Sequence, residues 1–125
     1  MIRLNILNYE HKKSFSRLEI YGAYKIFFGT LVSESRLKII NLLRKGKKNV
    51  SGIMKELKMD QTAVSHDLSR LKKCGFVVCK SEGKYRYYKL NEKTIKPLMN
   101  IIDKHMSQHC IHILKEKGGE KWQKN

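Results

Sequence analysis

Apolar residues recur along this chain at the three- and four-residue spacing of helices that bury one face. In residues 17–32, one helical face is apolar at every position but the first. It consists of Arg17, Ile20, Tyr21, Tyr24, Phe27, Phe28 and Leu31. A helix with so apolar a face needs a large partner surface, either in its own core or on another subunit.

Two shorter helices are predicted next. Ser33 and Glu34 favour a helix start, because a hydroxyl can cap free N–H groups and an acidic side chain suits the positive end of the helix dipole. The first of these helices is expected over residues 36–44 and the second over Val50–Leu57. A three-residue connection follows, and it ends at Asp60, a good N-terminal cap for the next helix.

The helix predicted over Gln61–Lys73 has two different faces. Its apolar stripe is Val64, Leu68 and Leu71. Its other face carries no carboxylate, and every side chain on it can donate a hydrogen bond: Gln61, Thr62, Ser65, His66, Ser69, Arg70 and Lys73. Asp67 is expected to lie off to one side of this polar face.

A β-hairpin and a last helix complete the pattern. Residues 76–80 and Tyr85–Leu90 resemble strands, and the connection between them, residues 81–84, contains a glycine. The last helix is expected to start at Asn91 or Glu92, with Pro97 distorting its first turns. Its apolar stripe is Ile95, Leu98, Ile102, Met106 and Ile113.

The domain organisation predicted from these elements is simple. Residues 1–16 form an N-terminal extension, residues 17–114 form one domain, and residues 115–125 form a Lys-rich tail. The order of elements is that of a winged helix-turn-helix, a mainly α fold with a β-hairpin as its wing. A chain of 125 residues, 41% of them hydrophobic, is long enough to bury a working core in one such domain.

This fold and these side chains predict DNA binding. The major groove of B-DNA admits one α-helix, and the N-terminal end of a recognition helix usually meets the bases. We therefore expect base contacts from Gln61, Thr62, Ser65 and His66, with Ser69 beside them, and phosphate contacts from Arg70 and Lys73. The basic wing, with Lys80, Lys84 and Arg86, adds affinity without sequence information.

The charge of the chain agrees with a polyanionic partner. Its formal net charge is +16, from 27 Lys and Arg against 11 Asp and Glu. Nucleic acid and an anionic membrane surface both fit this charge, and so does a proteome that is basic throughout. A membrane partner is not expected, because the basic tail lacks a strong amphipathic face of Trp, Phe and Leu. The apolar stretch of residues 20–32 is too short to span a bilayer, and the N-terminus lacks the apolar run of a signal peptide. Three cysteines, an odd number, do not indicate a disulfide framework, so a reducing cytoplasm is expected.

Three segments resemble the ArsR-type (ArsR/SmtB) transcriptional repressors. They are Ser-Arg-Leu-Lys-Ile-Ile-Asn-Leu-Leu from Ser35, Gln-Thr-Ala-Val-Ser-His-Asp-Leu-Ser-Arg-Leu from Gln61, and Gly-Lys-Tyr-Arg-Tyr-Tyr-Lys-Leu from Gly83. The similarity covers residues 17–112. It implies a homodimer that packs through its first and last helices and binds an imperfect palindrome in double-stranded DNA. It also implies release from DNA by a metal or redox signal.

The family's metal ligands are largely missing from this chain. Asn49 and Ser51 stand where many members have a Cys-x-Cys pair, and a second family site reads Glu92, Thr94, His105 and Gln108. A different cluster lies nearby, because His105, His109, His112 and Glu116 share one face of a continuous helix. Imidazole and carboxylate at this spacing can chelate Zn²⁺, Ni²⁺ or Co²⁺. The alternative is a polar flank of a dimer helix.

Two cysteines offer another switch. Cys74 and Cys79 flank the end of the recognition helix and the first strand, where a redox change would distort the polar face. They are equally compatible with buried thiols that act as small hydrophobic groups.

Two other functions remain open. One is a winged-helix architectural protein without an effector. The other is an RNA-binding module that stacks bases on Tyr85, Tyr87 and Tyr88. An enzyme is not expected, because the chain has no nucleophile elbow and no glycine-rich phosphate loop.

Overall fold

The structure is a computed structural model, and it describes residues 15–116. The helices are α1 (Arg17–Leu31), α2 (Glu34–Leu43), α3 (Val50–Leu57), α4 (Gln61–Lys73), α5 (Ile95–Gln108) and α6 (Cys110–Glu116). The strands are β1 (Lys48–Asn49), β2 (Val77–Glu82) and β3 (Tyr85–Leu90). The chain groups into two compact units that divide between Lys89 and Leu90. The predicted N-terminal extension and most of the predicted tail lie outside the described residues.

Each helix of the first unit begins at a residue whose side chain satisfies free backbone N–H groups. Ser16 and Glu19 form a capping box at the start of α1. Ser33 caps α2, as predicted, and Asn49 caps α3. Asp60 caps α4, because its carboxylate accepts a hydrogen bond of 2.7 Å from the N–H of Ala63. These caps explain why α3 and α4 have the predicted bounds.

The core of the first unit lies where α2, α3 and α4 meet. Its side chains are fully or almost fully buried: Ile39, Ile40, Leu43, Ile53, Val64, Leu68, Leu71, Phe76 and Val77. Burying one such aliphatic or aromatic side chain contributes about 1.5–3 kcal/mol to folding, so this cluster supplies most of the force that holds α4 in place.

The end of α4 is defined by a glycine. Gly75 has φ of +77°, a left-handed conformation that favours glycine. The N–H of Phe76 donates to the carbonyl of Leu71, and the N–H of Gly75 donates to that of Lys72. This is a Schellman motif, and it turns the chain so that Phe76 enters the core.

The wing is a three-stranded sheet with the order β1–β3–β2. β1 was not predicted. It pairs antiparallel with β3, with Lys48 opposite Tyr88 and Asn49 opposite Tyr87. The predicted four-residue connection between the other two strands is also wrong, because β2 continues to Glu82 and only two residues form the turn. Gly83, with φ of +63°, makes so short a turn possible.

The apolar face of α1 is only partly buried in the described chain. Ile20 is buried, and Phe27 and Leu31 are half-buried. Tyr21, Tyr24 and Phe28 lie exposed along one flank of the helix, where their rings contact one another. The apolar face of α1 was predicted to pack either in the chain's own core or on another subunit. The chain's own core covers one side of that face.

The second unit contains α5 and α6, and it corrects two predictions about the last helix. The helix starts at Ile95 rather than at residue 91 or 92, because the Asn91 side chain accepts from two backbone N–H groups and forms a turn first. Pro97 thus falls in the first turn of α5, where its missing N–H would have no helical partner.

The predicted helix is also not continuous, because it breaks at His109, with φ of −129° and ψ of −77°. Ile95 and Met99 are buried, whereas Met106 and Ile113 of the predicted stripe are exposed. No helix within residues 15–116 is long and apolar enough to cross a membrane.

Candidate nucleic-acid interface

The candidate interface is the exposed face of α4 together with the wing. The inner side of α4 is anchored by Val64, Leu68 and Leu71, whose exposed fractions are 0%, 1% and 0%. The apolar stripe predicted from the sequence is therefore confirmed. A helix that is capped at its start, closed by a Schellman motif at its end and buried along one side presents its other side rigidly.

Six of the seven side chains predicted on the polar face are exposed: Gln61, Thr62, Ser65, His66, Ser69 and Lys73. The first four lie in the N-terminal half of α4, which is the part of a recognition helix that contacts the bases. Arg70 is the exception, because it is half-buried and its Nε donates to Thr30 Oγ1 at 3.1 Å. Part of its guanidinium therefore holds α4 to α1, and its phosphate contact stays a prediction.

Asp67 is off the exposed polar face, as predicted, and it lies inside the molecule, which was not predicted. The residue is 6% exposed. Ser35 Oγ donates to Asp67 Oδ2 at 2.5 Å, and Arg36 Nη1 lies 3.5 Å from Oδ1. The sequence contained a signal for this position, because Asp67 completes the i, i+3, i+4, i+7 stripe with Val64, Leu68 and Leu71.

Arg36 connects this carboxylate to the end of α1. Its Nε donates to the carbonyl of Thr30 at 2.8 Å, and its Nη2 donates to that of Gly29 at 3.3 Å. These carbonyls belong to the last turn of α1, where helical partners are missing. One guanidinium thus joins the end of α1 to the middle of α4.

Thr30 makes a second connection between the same two helices. This buried residue donates its hydroxyl proton to the carbonyl of Ile26 at 2.7 Å and accepts from Arg70. Its oxygen also lies 3.3 Å from Cys74 Sγ. Because a hydroxyl has one proton and it is already engaged, the thiol is the donor in this contact. No feature of the sequence singled out Thr30.

The wing carries its predicted cations on the surface, since Lys80, Lys84 and Arg86 are all exposed. It also carries an acid that no sequence pattern singled out. Lys47 Nζ donates to both carboxylate oxygens of Glu82, at 2.7 and 2.6 Å, and these bonds hold the pKa of Glu82 below its usual value. The Lys47 ammonium also lies 5.0 Å from the centre of the Tyr87 ring.

The aromatic side chains of the wing differ in their surroundings. Tyr85 is exposed, whereas Tyr87 and Tyr88 are half-buried. Burial raises the pKa of Tyr88, and a hydrogen bond with Cys79 raises it further. A hydrogen bond with the same thiol raises the pKa of Arg86. Of the three wing tyrosines, Tyr85 is the exposed one, and base stacking on any of them stays a prediction.

The two cysteines of the predicted redox switch are both free thiols, and each has its own partners. Cys74 contacts Thr30 beneath α1, whereas Cys79 interacts with wing residues on β3. The redox switch stays a prediction.

The predicted histidine cluster required one continuous helix, and the helix is not continuous. His105 lies on α5, His109 occupies the break, and His112 and Glu116 lie on α6. The rings of His105 and His109 are 4.6 Å apart. Within residues 15–116 of one chain, no three His, Cys, Asp or Glu side chains come together as a metal site. Zn²⁺, Ni²⁺ or Co²⁺ binding at His105, His109, His112 and Glu116 stays a prediction for the dimer.

Known proteins resemble this chain in sequence. Residues 33–78 match the bacterial regulatory protein, arsR family. The HTH-type transcriptional regulator MJ1325 of Methanocaldococcus jannaschii is 32% identical over 87 residues, which are 69% of this chain and 98% of that protein. The HTH-type transcriptional regulator NmtR of Mycobacterium tuberculosis is 34% identical over 83 residues, or 66% of this chain and 68% of that protein.

A solved structure resembles the fold. The homodimeric winged helix-turn-helix DNA-binding domain Mb0332 from Mycobacterium bovis, a possible ArsR-family transcriptional regulator, matches with a TM-score of 0.70 and 25% identity. The match covers 77% of this chain and 89% of that domain. The winged helix-turn-helix predicted from the order of elements is confirmed.

Proposed function

Because the chain belongs to the arsR family of bacterial regulatory proteins, we propose that it is a repressor that binds a palindromic operator as a homodimer. Its family consists of DNA-binding transcriptional regulators rather than enzymes, and the chain has the winged fold of that family. The observation that carries the proposal is the rigid, exposed N-terminal half of α4, which bears Gln61, Thr62, Ser65 and His66. Such a repressor acts in the cytoplasm, where the DNA is.

These four side chains suit the edges of bases. Gln pairs bidentately with adenine, and Ser and Thr serve either type of base. The side chain of His66 is 80% exposed, so it reaches beyond the helix surface. Lys73 and the wing residues Lys80, Lys84 and Arg86 supply phosphate contacts on either side of the bases.

The homodimer is supported by exposed apolar surface in each unit. In the first unit, this surface is the aromatic flank of α1, formed by Tyr21, Tyr24 and Phe28. In the second unit, Ile101, Ile111 and Leu114 are exposed. Exposed apolar patches of this kind mark protein–protein contact sites. A two-fold dimer would place two copies of α4 about one helical turn of DNA apart, which makes the operator palindromic.

The test compares two kinds of variant on two kinds of duplex. A preferred site is first selected from a pool of random duplexes, and fluorescence anisotropy then gives the affinity for that site and for a scrambled duplex. Gln61→Ala and His66→Ala should each weaken the preferred site by about 5- to 150-fold and leave the scrambled duplex almost unchanged. Lys84→Gln with Arg86→Gln should weaken both duplexes and lower the slope of log affinity against log salt by about one for each phosphate that the variant no longer neutralises.

Lys96→Gln with Lys104→Gln is a charge-matched control, because it removes two exposed cations of α5 that have no assigned DNA contact. It should change neither affinity by as much as the wing variants do. If both kinds of variant changed both duplexes alike, the division between base and phosphate contacts would be refuted. Tighter binding to single-stranded RNA than to any duplex would favour the RNA-binding alternative instead.

A further inference from the structure

A cavity of about 480 Å³ lies between α1 and the end of α4. Its lining consists of Ala23, Ile26 and Phe27 from α1 and of Arg70, Lys73 and Cys74 from the other side. All six residues belong to the first unit. The volume falls within the range of about 300–1,000 Å³ that is typical of sites for small organic molecules.

The lining combines an apolar wall with two cations. Ile26 is 55% exposed, and Phe27 beside it is half-buried, so apolar surface is open to a ligand. Within residues 15–116, no carboxylate lines the cavity, and neither Arg70 nor Lys73 forms an ion pair. Arg70 uses Nε for Thr30, and the rest of its guanidinium carries further donors. A ligand that matches this lining has an apolar body and one anionic end.

The cavity lies on the opposite side of α1 from the surface proposed for dimerisation. At 100° per residue, Tyr21, Tyr24 and Phe28 fall on one side of the buried line through Ile20, whereas Ala23 and Ile26 fall on the other. Phe27 of the lining adjoins the flank, because its ring centre lies 5.2 Å from that of Phe28. A second copy that covers the aromatic flank therefore leaves the Ala23 and Ile26 side of the cavity accessible to a small molecule.

We propose that this cavity is an effector site for a medium-chain organic carboxylate, whose head group binds Arg70 and Lys73 and whose chain packs on Ala23, Ile26 and Phe27. Its binding lowers the affinity for DNA, because the same two cations are assigned to phosphates. The coupling is reciprocal, so DNA lowers the affinity for the carboxylate by the same factor. This effector role rests on the proposed repressor function, whereas binding of the carboxylate does not.

The connection to the recognition helix is direct. Arg70 anchors α4 to Thr30 of α1, and Cys74 at the end of α4 contacts the same hydroxyl. A carboxylate that draws the Arg70 guanidinium toward the cavity competes with this anchor. The ligand therefore acts on the helix that carries the base contacts as well as on the phosphate contacts.

Binding is tested with decanoate on the full chain, below the concentration at which it forms micelles. Methyl NMR should show contacts between the decanoate chain and the Ile26 methyl groups, with one molecule bound per chain. Acetate has the head group alone and 1-decanol has the chain alone, and both should bind at least about tenfold more weakly. Equal contacts with the methyl groups of exposed Val78 would show non-specific adsorption. Contacts of Ile26 with another part of the chain or a second copy would show a filled cavity. Either result would overturn the proposal.

Two pairs of variants locate the site. Ala23→Trp fills the cavity without a change of charge and should abolish decanoate binding, whereas Val32→Trp, at an exposed position outside the lining, should not. Lys73→Gln should weaken decanoate about two- to fivefold, and Lys72→Gln, its exposed neighbour outside the lining, should not. Unchanged binding in both Ala23→Trp and Lys73→Gln would refute the site.

The effector role is measured separately from the function itself. In wild type, saturating decanoate should lower the affinity for the selected duplex at least about fivefold. Ala23→Trp should bind that duplex normally and lose the response to decanoate. If wild type binds the duplex and decanoate but shows no response, the effector role fails alone. If no duplex is bound without decanoate, the proposed repressor function fails, and NMR still decides whether the cavity binds the carboxylate.

Discussion

Replacement of Asp67 by Ala should destabilise the fold far more than an ordinary surface substitution. The change removes the Asp67 acceptor of Ser35, which keeps a contact of 3.1 Å with Ser33 Oγ, and it removes the ion partner of Arg36, whose side chain is 16% exposed. Breaking a buried ion pair from one side costs about 3–5 kcal/mol. Arg36 keeps its bonds to the carbonyls of Gly29 and Thr30, and its 3.5 Å contact with Asp67 is long. We therefore expect a loss of about 2–3 kcal/mol in the free energy of unfolding, at or below the low end of that range.

Urea denaturation followed by circular dichroism measures this loss as a lower midpoint with an unchanged slope. Glu56→Ala is the matched control, because Glu56 also forms one ion pair, with Lys48 at 3.4 Å, but on the surface. Its cost should stay below about 1 kcal/mol. Asp67→Asn, which keeps an acceptor oxygen, should fall between the two. If Asp67→Ala cost no more than Glu56→Ala, the buried network around Asp67 would contribute nothing to holding α4.

Three further outcomes are expected. Thr30→Val keeps the shape of the side chain but removes the hydroxyl that accepts from Arg70. Thermal or urea unfolding should therefore show a loss of about 1–3 kcal/mol in the free energy of unfolding. A neutral result would contradict a stabilising role of this hydroxyl. In Lys47→Met, the pKa of Glu82 should rise toward its usual value in an NMR titration, because the ammonium that lowers it is gone. In wild type this ion pair stabilises the fold above the unfolded pKa of Glu82, and the contribution is lost as pH falls through the lowered pKa. Tyr24→Ser should shift sedimentation toward the monomer, and an unchanged dimer would exclude the aromatic flank as an interface.

Local signals predicted several elements of this fold correctly. Val50–Leu57, Gln61–Lys73 and Tyr85–Leu90 have the predicted bounds, and the two helices among them begin at a capping side chain and carry a regular apolar stripe. Gly75 ends α4, and its positive φ is one that glycine adopts readily. In each case the information lies within a few neighbouring residues, which is the range over which sequence patterns predict structure.

Sequence patterns did not predict the features that depend on residues far apart in the chain. β1 is two residues long and exists because it pairs with β3, about 40 positions away. The buried position of Asp67 follows from helical spacing, but its hydrogen bond does not, because its partner Ser35 is 32 positions earlier in the chain. The break at His109 has no proline or glycine to mark it.

The candidate site also has one part that local patterns predict and another part that depends on distant residues. The exposed polar residues of α4 follow from helical periodicity, and all but Arg70 are exposed as predicted. Arg70 differs because its partner Thr30 lies on another helix, 40 positions earlier. The cavity beneath the end of α4 depends on the same meeting of α1 and α4, so no single segment could reveal it.

Methylation interference on the selected duplex tests most directly whether α4 reads bases in the major groove. Guanine N7 lies in the major groove and adenine N3 in the minor groove, so methyl groups at these two atoms distinguish the grooves. If α4 lies in the major groove, N7 methylation should block binding in two half-sites about one helical turn apart, and His66→Ala should relieve part of this interference. Interference confined to adenine N3, or none at any guanine in either half-site, would contradict this position of α4.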